Sequence, residues 1–512
     1  MDEILEQIGG MGRFQITRLV MFCFLMFPPT FQFLNMYFIV AEAPWQCVNN
    51  STECKLNGSF VVGDFDYDFR CKINRSEWEY ASYEGPHNTI VSEFDLVCDY
   101  ANYGSLAVSI GSISEAIFTI PLGVLSDRFG RLWTLYPSLV IMTTVGTLSS
   151  FAAKYWHFLV ARIFSGSATF GVIFTITILS GEYVGPHHRP LSQTIVWVAS
   201  TFETLLLACM AYFVRSWRNL VILCNAPWIL LLVFAKFTPE SVRWQLTHNK
   251  AEKAEKNLLQ IAKVNKIEYP DVTLKIPEVS NEGRFNCLAL FSSWSSAIGV
   301  LIQAFAWFVS GLVFFGASFG ASDFGGNLYL NFALTILIEI PANFIAIDGC
   351  ERFGRKKIII YSMILSGIAC VVVSLIPAGT ARTDFIAGRL IGGMLGKGFI
   401  TISYSSMVVW STELFPTIVR NSGMAILYVS TSFGSAAAPF VLDLDRIHGT
   451  LPFGLMGGLS AIASLLCLKL PETRGRPTVE VFESNRNAQS NEMPEVNGKG
   501  NQNERGNNEK EA

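Results

Sequence analysis

The chain has 512 residues, 51% of them hydrophobic and only 15% charged, with a formal net charge of −3 and a mean hydropathy of +0.37. Soluble domains carry about a quarter charged residues, so this composition excludes an ordinary water-soluble protein. The near-zero net charge argues against nucleic acid as a partner.

Apolar stretches of about 20 residues, the length that crosses a bilayer, recur along the whole chain. Spans are predicted near 16–40, 101–125, 132–153, 156–184, 191–214 and 217–237, then near 295–317, 327–349, 357–378, 382–412, 420–442 and 450–470. The expected fold is therefore an all-α membrane protein of twelve transmembrane helices in two six-helix halves. The divisions are 1–237 for the first half, 238–294 for a connection, 295–472 for the second half and 473–512 for a tail. The first span ends in Ala41-Glu42-Ala43, which resembles a signal-peptidase site. Its apolar run is too long for a leader, Asp2, Glu3 and Glu6 precede it instead of a basic cluster, and Pro44 would hinder cleavage.

The segment 41–98 is a large hydrophilic loop. Its Cys47, Cys54, Cys71 and Cys98 form an even set, expected as two disulfides of open pairing in an oxidising compartment. Four glycosylation sequons fall in it, at Asn49, Asn50, Asn57 and Asn74. Its ten acidic residues against four basic ones either concentrate cations near an entrance or simply solvate the loop.

Asp127-Arg128-Phe129-Gly130-Arg131 and Glu351-Arg352-Phe353-Gly354-Arg355 are two copies of one motif, each a short charged loop between spans. Three further features recur in register. Arg162 is matched by Arg389. Glu182 and Arg189 are matched by Glu413 and Arg420. Pro239-Glu240-Ser241 is matched by Pro471-Glu472-Thr473. The chain thus reads as two related halves, an organisation that in transporters places the substrate site between them. Basic residues gather on the side of these motifs, which the positive-inside rule makes cytoplasmic together with both termini. Arg215, Arg218 and Arg382 fall on the other side as exceptions. Asp127, Arg128, Arg131, Glu182, Arg189, Glu351, Arg352, Arg355, Glu413 and Arg420 are candidate gating charges. They are expected to pair across the bundle in an outward-facing state and to separate in an inward-facing one. Mere anchoring of helix ends is the plainer alternative.

In the connection, Ala251 to Val264 reads as an amphipathic helix with Leu258, Leu259 and Ile261 on its apolar side. The tail beyond Pro477 has the composition of a disordered segment.

Gly123, Asp127, Arg128, Gly130 and Arg131 match the loop motif of the major facilitator superfamily, which the chain resembles. More narrowly, it is similar to the organic cation/anion/zwitterion transporters, solute carrier family 22. That resemblance rests on Ser92-Glu93-Phe94-Asp95-Leu96-Val97-Cys98-Asp99, on Pro239-Glu240-Ser241 with Arg243-Trp244, and on Thr412-Glu413-Leu414-Phe415-Pro416-Thr417 with Val419-Arg420-Asn421. The Gly325-Gly326-Asn327-Leu328-Tyr329-Leu330 entry to span eight also fits. The resemblance implies alternating-access transport of small organic ions across a plasma membrane. It also marks departures. Span eleven of cation carriers holds an Asp and of anion carriers an Arg, where this chain has Ser432. Anion carriers place a Lys where this chain has Asn343. Close relatives often carry six loop cysteines rather than four.

Ionisable groups inside spans are functional candidates because they are costly there. Glu339 lies in mid-span eight, and the resemblance puts a carboxylate there too. Lys397 shares span ten with Tyr404 and is expected either to bind substrate or to neutralise Glu339 or another acid. Glu203 in span five and Glu115 in span two are further carboxylates, either of which could supply the charge missing at Ser432. Trp307 and Phe314 on span seven, Phe170 on span four and Trp197 on span five offer aromatic faces for amphipathic cations, or simply pack. Gly392 to Gly398 contains a Gly-Lys pair but lacks the spacing and the Ser/Thr of a phosphate loop. No metal-ligand spacing or catalytic constellation is present, so neither a cofactor nor an enzymatic role is expected. The leading expectation is a polyspecific carrier of organic cations or zwitterions. The alternatives are an organic anion carrier using Lys397, and a receptor or scaffold on the same fold.

Overall fold

The computed structural model describes residues 2–474 apart from 50, 52, 55, 57, 62–63, 65, 82–88, 271–289, 292, 325–326, 378–382 and 416–418. Asn50, Asn57, much of the 238–294 connection and nearly all of the tail lie outside the described residues.

Twelve long helices among the described residues carry the fold. They are α1 (Arg13–Ile39), α2 (Asn102–Phe129), α3 (Arg131–Ser149), α4 (Tyr155–Glu182), α5 (Arg189–Phe213), α6 (Trp217–Lys236), α7 (Trp294–Phe319), α8 (Leu328–Phe353), α9 (Arg355–Leu375), α10 (Thr383–Leu414), α11 (Arg420–Leu442) and α12 (Leu451–Cys467). Most are long and apolar enough to cross a bilayer on composition alone. Helix α3 is richer in hydroxyls, and these are satisfied locally. Thr143, Thr144 and Thr147 donate to the carbonyls of Leu139, Val140 and Thr143, four residues back. Span eight breaks at Ile338, between helical stretches Leu328–Leu337 and Glu339–Phe353. Pro341 has no N–H to offer the Leu337 carbonyl, which accounts for the break.

The halves repeat one packing plan. Helix α3 lies on α4 and α6, and α9 lies on α10 and α12; the halves meet where α2 packs on α11 and α5 on α8. At the contact of α7 with α11, a Cβ on Gly434 would stand 2.1 Å from the Phe308 carbonyl oxygen. Only glycine lets these backbones come that close.

The loop after α1 folds as a small antiparallel sheet in the order β2-β1-β3, from β1 (Trp45–Cys47), β2 (Ser59–Phe60) and β3 (Trp78–Tyr80). Disulfides join Cys47 to Cys54 and Cys71 to Cys98, which settles the pairing that the sequence left open. Trp45 and Trp78 fill the space beneath the sheet, and the Trp45 indole donates to the Tyr67 carbonyl at 2.8 Å. Arg218, at odds with the charge rule for its side, has a structural reason to be there. Its guanidinium binds the Glu93 carboxylate and the Ser150 and Ala152 carbonyls, tying α6 to the loop and to the end of α3.

On the opposite side, helices Val242–Thr247 and Ala251–Asn265 follow α6. Leu258 and Ile261 are buried as expected, but Leu259 is 46% exposed, because it points off the stripe that contacts α1 and the short N-terminal helix Asp2–Gln7.

Candidate functional site

The structure gathers one group of the predicted side chains at mid-depth in the second half. The fully buried Lys397 ammonium lies 3.1 Å from a Glu339 carboxylate oxygen and 3.0 Å from the Phe314 carbonyl oxygen, and it donates to the Ser318 hydroxyl. Those three acceptors use all three of its donors. Its nitrogen also stands 3.2 Å from the Phe314 ring centroid. Asn343, one turn past Glu339, donates to the Glu339 carbonyl at 2.9 Å and accepts from Ser405 at 2.7 Å. Lys397 is thus closed off as half of a buried ion pair.

Beside it stands an aromatic group. The Trp307 ring lies 5.5 Å from Tyr404 and 5.2 Å from Tyr428, both edge-on, and Tyr404 stacks on Phe314 at 6.0 Å. The Trp307 indole donates to Ser411 at 3.1 Å. Ser432 is 6% exposed and donates to the Tyr428 carbonyl at 3.2 Å, which ties it to the same group. From the first half, Glu115 on α2 comes within electrostatic reach of Tyr404.

The remaining candidates lie apart from this group. Glu203 is 2% exposed and turns into the first half, where Thr30 and Cys23 of α1 are its neighbours. Phe170 is buried and stacks on Phe174 at 5.4 Å, and Trp197 is 41% exposed on α5. Depth in a span was readable from sequence, but the face each side chain takes was not.

The motif side holds two matching clusters, each internal to its own half. In the first, Arg131 pairs with Asp127 at 2.5 Å and with Glu182 at 3.5 Å. In the second, Arg355 pairs with Glu413 at 3.0 Å. The expected pairing across the bundle is therefore not the arrangement in this conformation. Arg128 packs against the Phe129 ring, Arg352 pairs with Asp348 at 2.7 Å, Arg189 donates to the Gly181 carbonyl at 3.2 Å, and Glu351 is exposed. Arg420 makes no ion pair with Glu413 among the described residues.

Each cluster has a further carboxylate whose role sequence reasoning missed. Glu240 accepts from the Arg131 and Leu132 N–H groups at 3.0 and 3.2 Å, and Glu472 accepts from those of Arg355 and Lys356 at 3.0 and 3.1 Å. Both sit on the first turn of a helix, α3 or α9, where free N–H groups and the helix dipole favour an anion. The repeated Pro-Glu pair was the available signal.

A family model described as "Sugar (and other) transporter" matches residues 58–484. The chain belongs to that transporter family. The transporter is 31% identical over 412 residues to rat solute carrier family 22 member 3, across 80% of this chain and 73% of the rat protein, which places it within solute carrier family 22. It is 29% identical to human solute carrier family 22 member 13 over 93% of this chain and 91% of the human protein. It is 28% identical to a Drosophila melanogaster organic cation transporter-like protein over 94% and 91%. Among solved structures, the inward-open xylose transporter XylE from E. coli aligns with a TM-score of 0.60 at 16% identity, covering 90% of this chain and 97% of that one. This likeness shows the major facilitator fold. The transporter is a multi-pass membrane protein and not an enzyme.

Proposed function

We propose that the protein is a plasma-membrane carrier of small organic ions that works by alternating access and prefers organic cations. The observation that carries the charge preference is the closed Lys397–Glu339 pair. A lysine whose three donors are used and whose charge is matched offers little to an anion. The half-buried rings of Tyr404 and Tyr428, backed by the fully buried Trp307, present negative faces suited to an ammonium group and apolar bodies suited to its substituents. The Drosophila relative, an organic cation transporter-like protein, agrees with this preference.

The disulfide-bearing loop belongs outside the cell in this reading, with Asn49 and Asn74, both exposed, as glycan acceptors and both termini in the cytosol. Contacts between the halves gather on the loop side. Phe33 meets Phe315 at 5.0 Å, Tyr37 meets Phe332 at 4.4 Å, and Ser109 donates to the Ala436 carbonyl at 2.6 Å. Among the described residues, the ion pairs of the Arg131 and Arg355 clusters stay within their halves. The conformation is accordingly inward-facing, and substrate would leave toward the cytosol.

The test is uptake of labelled organic cations, anions and zwitterions by cells expressing the protein, at more than one membrane potential. Saturable cation uptake above control cells is expected. Anion uptake alone would reverse the charge assignment, and surface-expressed protein that moves none of the panel would favour the receptor reading.

A further inference from the structure

Glu115 lies near the midpoint of α2, the helix Asn102–Phe129, so it sits deep in the bundle. The face it occupies is defined by its neighbours. One turn before it, Ser112 hydrogen-bonds Ser435 of α11 at 3.0 Å, which directs this stripe of α2 at the opposite half. Across the gap the carboxylate comes within electrostatic reach of Tyr404. Its side chain is half-buried, neither sealed into a helix interface nor fully exposed.

Glu115 has no ion-pair partner among the described residues. Lys397 is held by Glu339. Arg162, on α4, donates to the Gln32 carbonyl at 2.9 Å and makes no ion pair with Glu115 among the described residues. With Glu339 neutralised and Ser432 uncharged, Glu115 is the uncompensated negative charge facing the aromatic group. An ionised side chain in this setting is costly, and a cation arriving beside it would offset that cost in a medium of low dielectric.

We propose that Glu115 is the substrate counter-charge, binding the ammonium group of a monovalent organic cation against the rings of Tyr404 and Tyr428. The inference rests on the transporter reading above and narrows it. A plain cation satisfies the site, whereas a zwitterion brings a carboxylate for which Lys397 has no donor to spare. Glu115 does from the first half what an acid on α11 would do from the second, which accounts for a neutral Ser432.

The experiment measures uptake and binding of labelled 1-methyl-4-phenylpyridinium, a flat aromatic cation, for the wild type, Glu115→Gln and Glu115→Asp. Binding is read as ligand-induced thermal stabilisation of the purified full chain, so a trafficking defect does not obscure it. The expected result is an at least tenfold rise in KM and loss of stabilisation for Glu115→Gln, with Glu115→Asp retaining part of both. A wild-type KM and wild-type stabilisation in Glu115→Gln would overturn the assignment while leaving cation transport standing. Failure of the wild type to bind or carry any organic cation would overturn the cation reading, and this inference with it.

Discussion

Lys397 and Glu339 illustrate how a charge inside a span is decided by its partners. Read from sequence, either residue could meet substrate; the structure spends them on each other. Removing one member of a buried pair leaves the other uncompensated and costs about 3–5 kcal/mol, whereas replacing both can be nearly neutral. Lys397→Gln is therefore expected to lower the melting temperature and surface level strongly. Glu339→Gln should do the same, because it leaves the buried ammonium without its counter-charge. The double variant should regain most of the loss. Thermal unfolding of detergent-purified protein across this cycle checks the claim, and additive losses in the double variant would mean the two residues act independently. The same logic explains what the sequence did and did not disclose here. Glu203 and Glu115 were equally visible as acids within spans, but a helix has more than one inward face, and only packing shows that Glu203 turns toward α1 while Glu115 faces the second half.

The helices themselves were readable because each needs only length and apolarity, both local properties. The break in α8 followed from a proline that the apolar count does not weigh. Strands of two or three residues in the loop carry too few side chains to show alternation. The helix-capping roles of Glu240 and Glu472 depend on contacts more than a hundred residues away. These caps make a prediction about the loops they close. Gly130 and Gly354 have φ of +116° and +96°, where a side chain is strained. A Cβ there would stand 2.4 Å from Glu240 Oε2 and 2.7 Å from Glu472 Oε2. Gly130→Ala and Gly354→Ala should each destabilise their own half by about 1–3 kcal/mol, seen as lower melting temperatures. An unchanged temperature would mean the cap swings aside freely. The loop side offers a pH test. Burial raises the Glu93 carboxyl, but hydrogen bonds from Arg218 and Trp217 outweigh it and hold the group below its usual range. A depressed carboxyl contributes stability above its unfolded value of about 4.3 and loses it as pH falls through the lower folded value. Trp217 fluorescence should report loosening of this clamp below about pH 4, and Glu93→Gln should remove that transition.

At the scale of the whole molecule, alternating access requires that contacts on one side be lost as those on the other form. The motif-side clusters belong to each half separately, so they travel with their helices; what holds the present state together lies on the loop side. Glu42 is the charged member of that seal. It pairs with Arg70 of the loop at 2.5 Å and with Arg446, past the end of α11, at 3.1 Å. Arg70 is itself 3% exposed and stacks over the Tyr67 ring at 4.1 Å, so the loop end of this bridge is rigid. Glu42 thereby joins the first half, the disulfide-bonded loop and the second half at one carboxylate. Opening the loop side must break the Arg446 arm while the Arg70 arm remains. Neutralising Glu42 removes an interaction that holds the loop side closed here, and a loss of about 1.4 kcal/mol would change the ratio of states tenfold. Arg446→Gln should therefore raise the outward-open population, with the substrate ranking unaltered because the bridge lies far from Lys397 and Glu115. Glu42→Gln should do the same and also loosen the loop, since it strands the buried Arg70. The measurement is modification of a cysteine placed at Ser109, which is sealed against Ala436 in this state, by a membrane-impermeant reagent applied from outside. Faster labelling in Arg446→Gln than in the parent is the expected outcome. Equal labelling, with wild-type turnover, would assign the closure to the aromatic contacts of Tyr37, Phe332 and Phe315 instead.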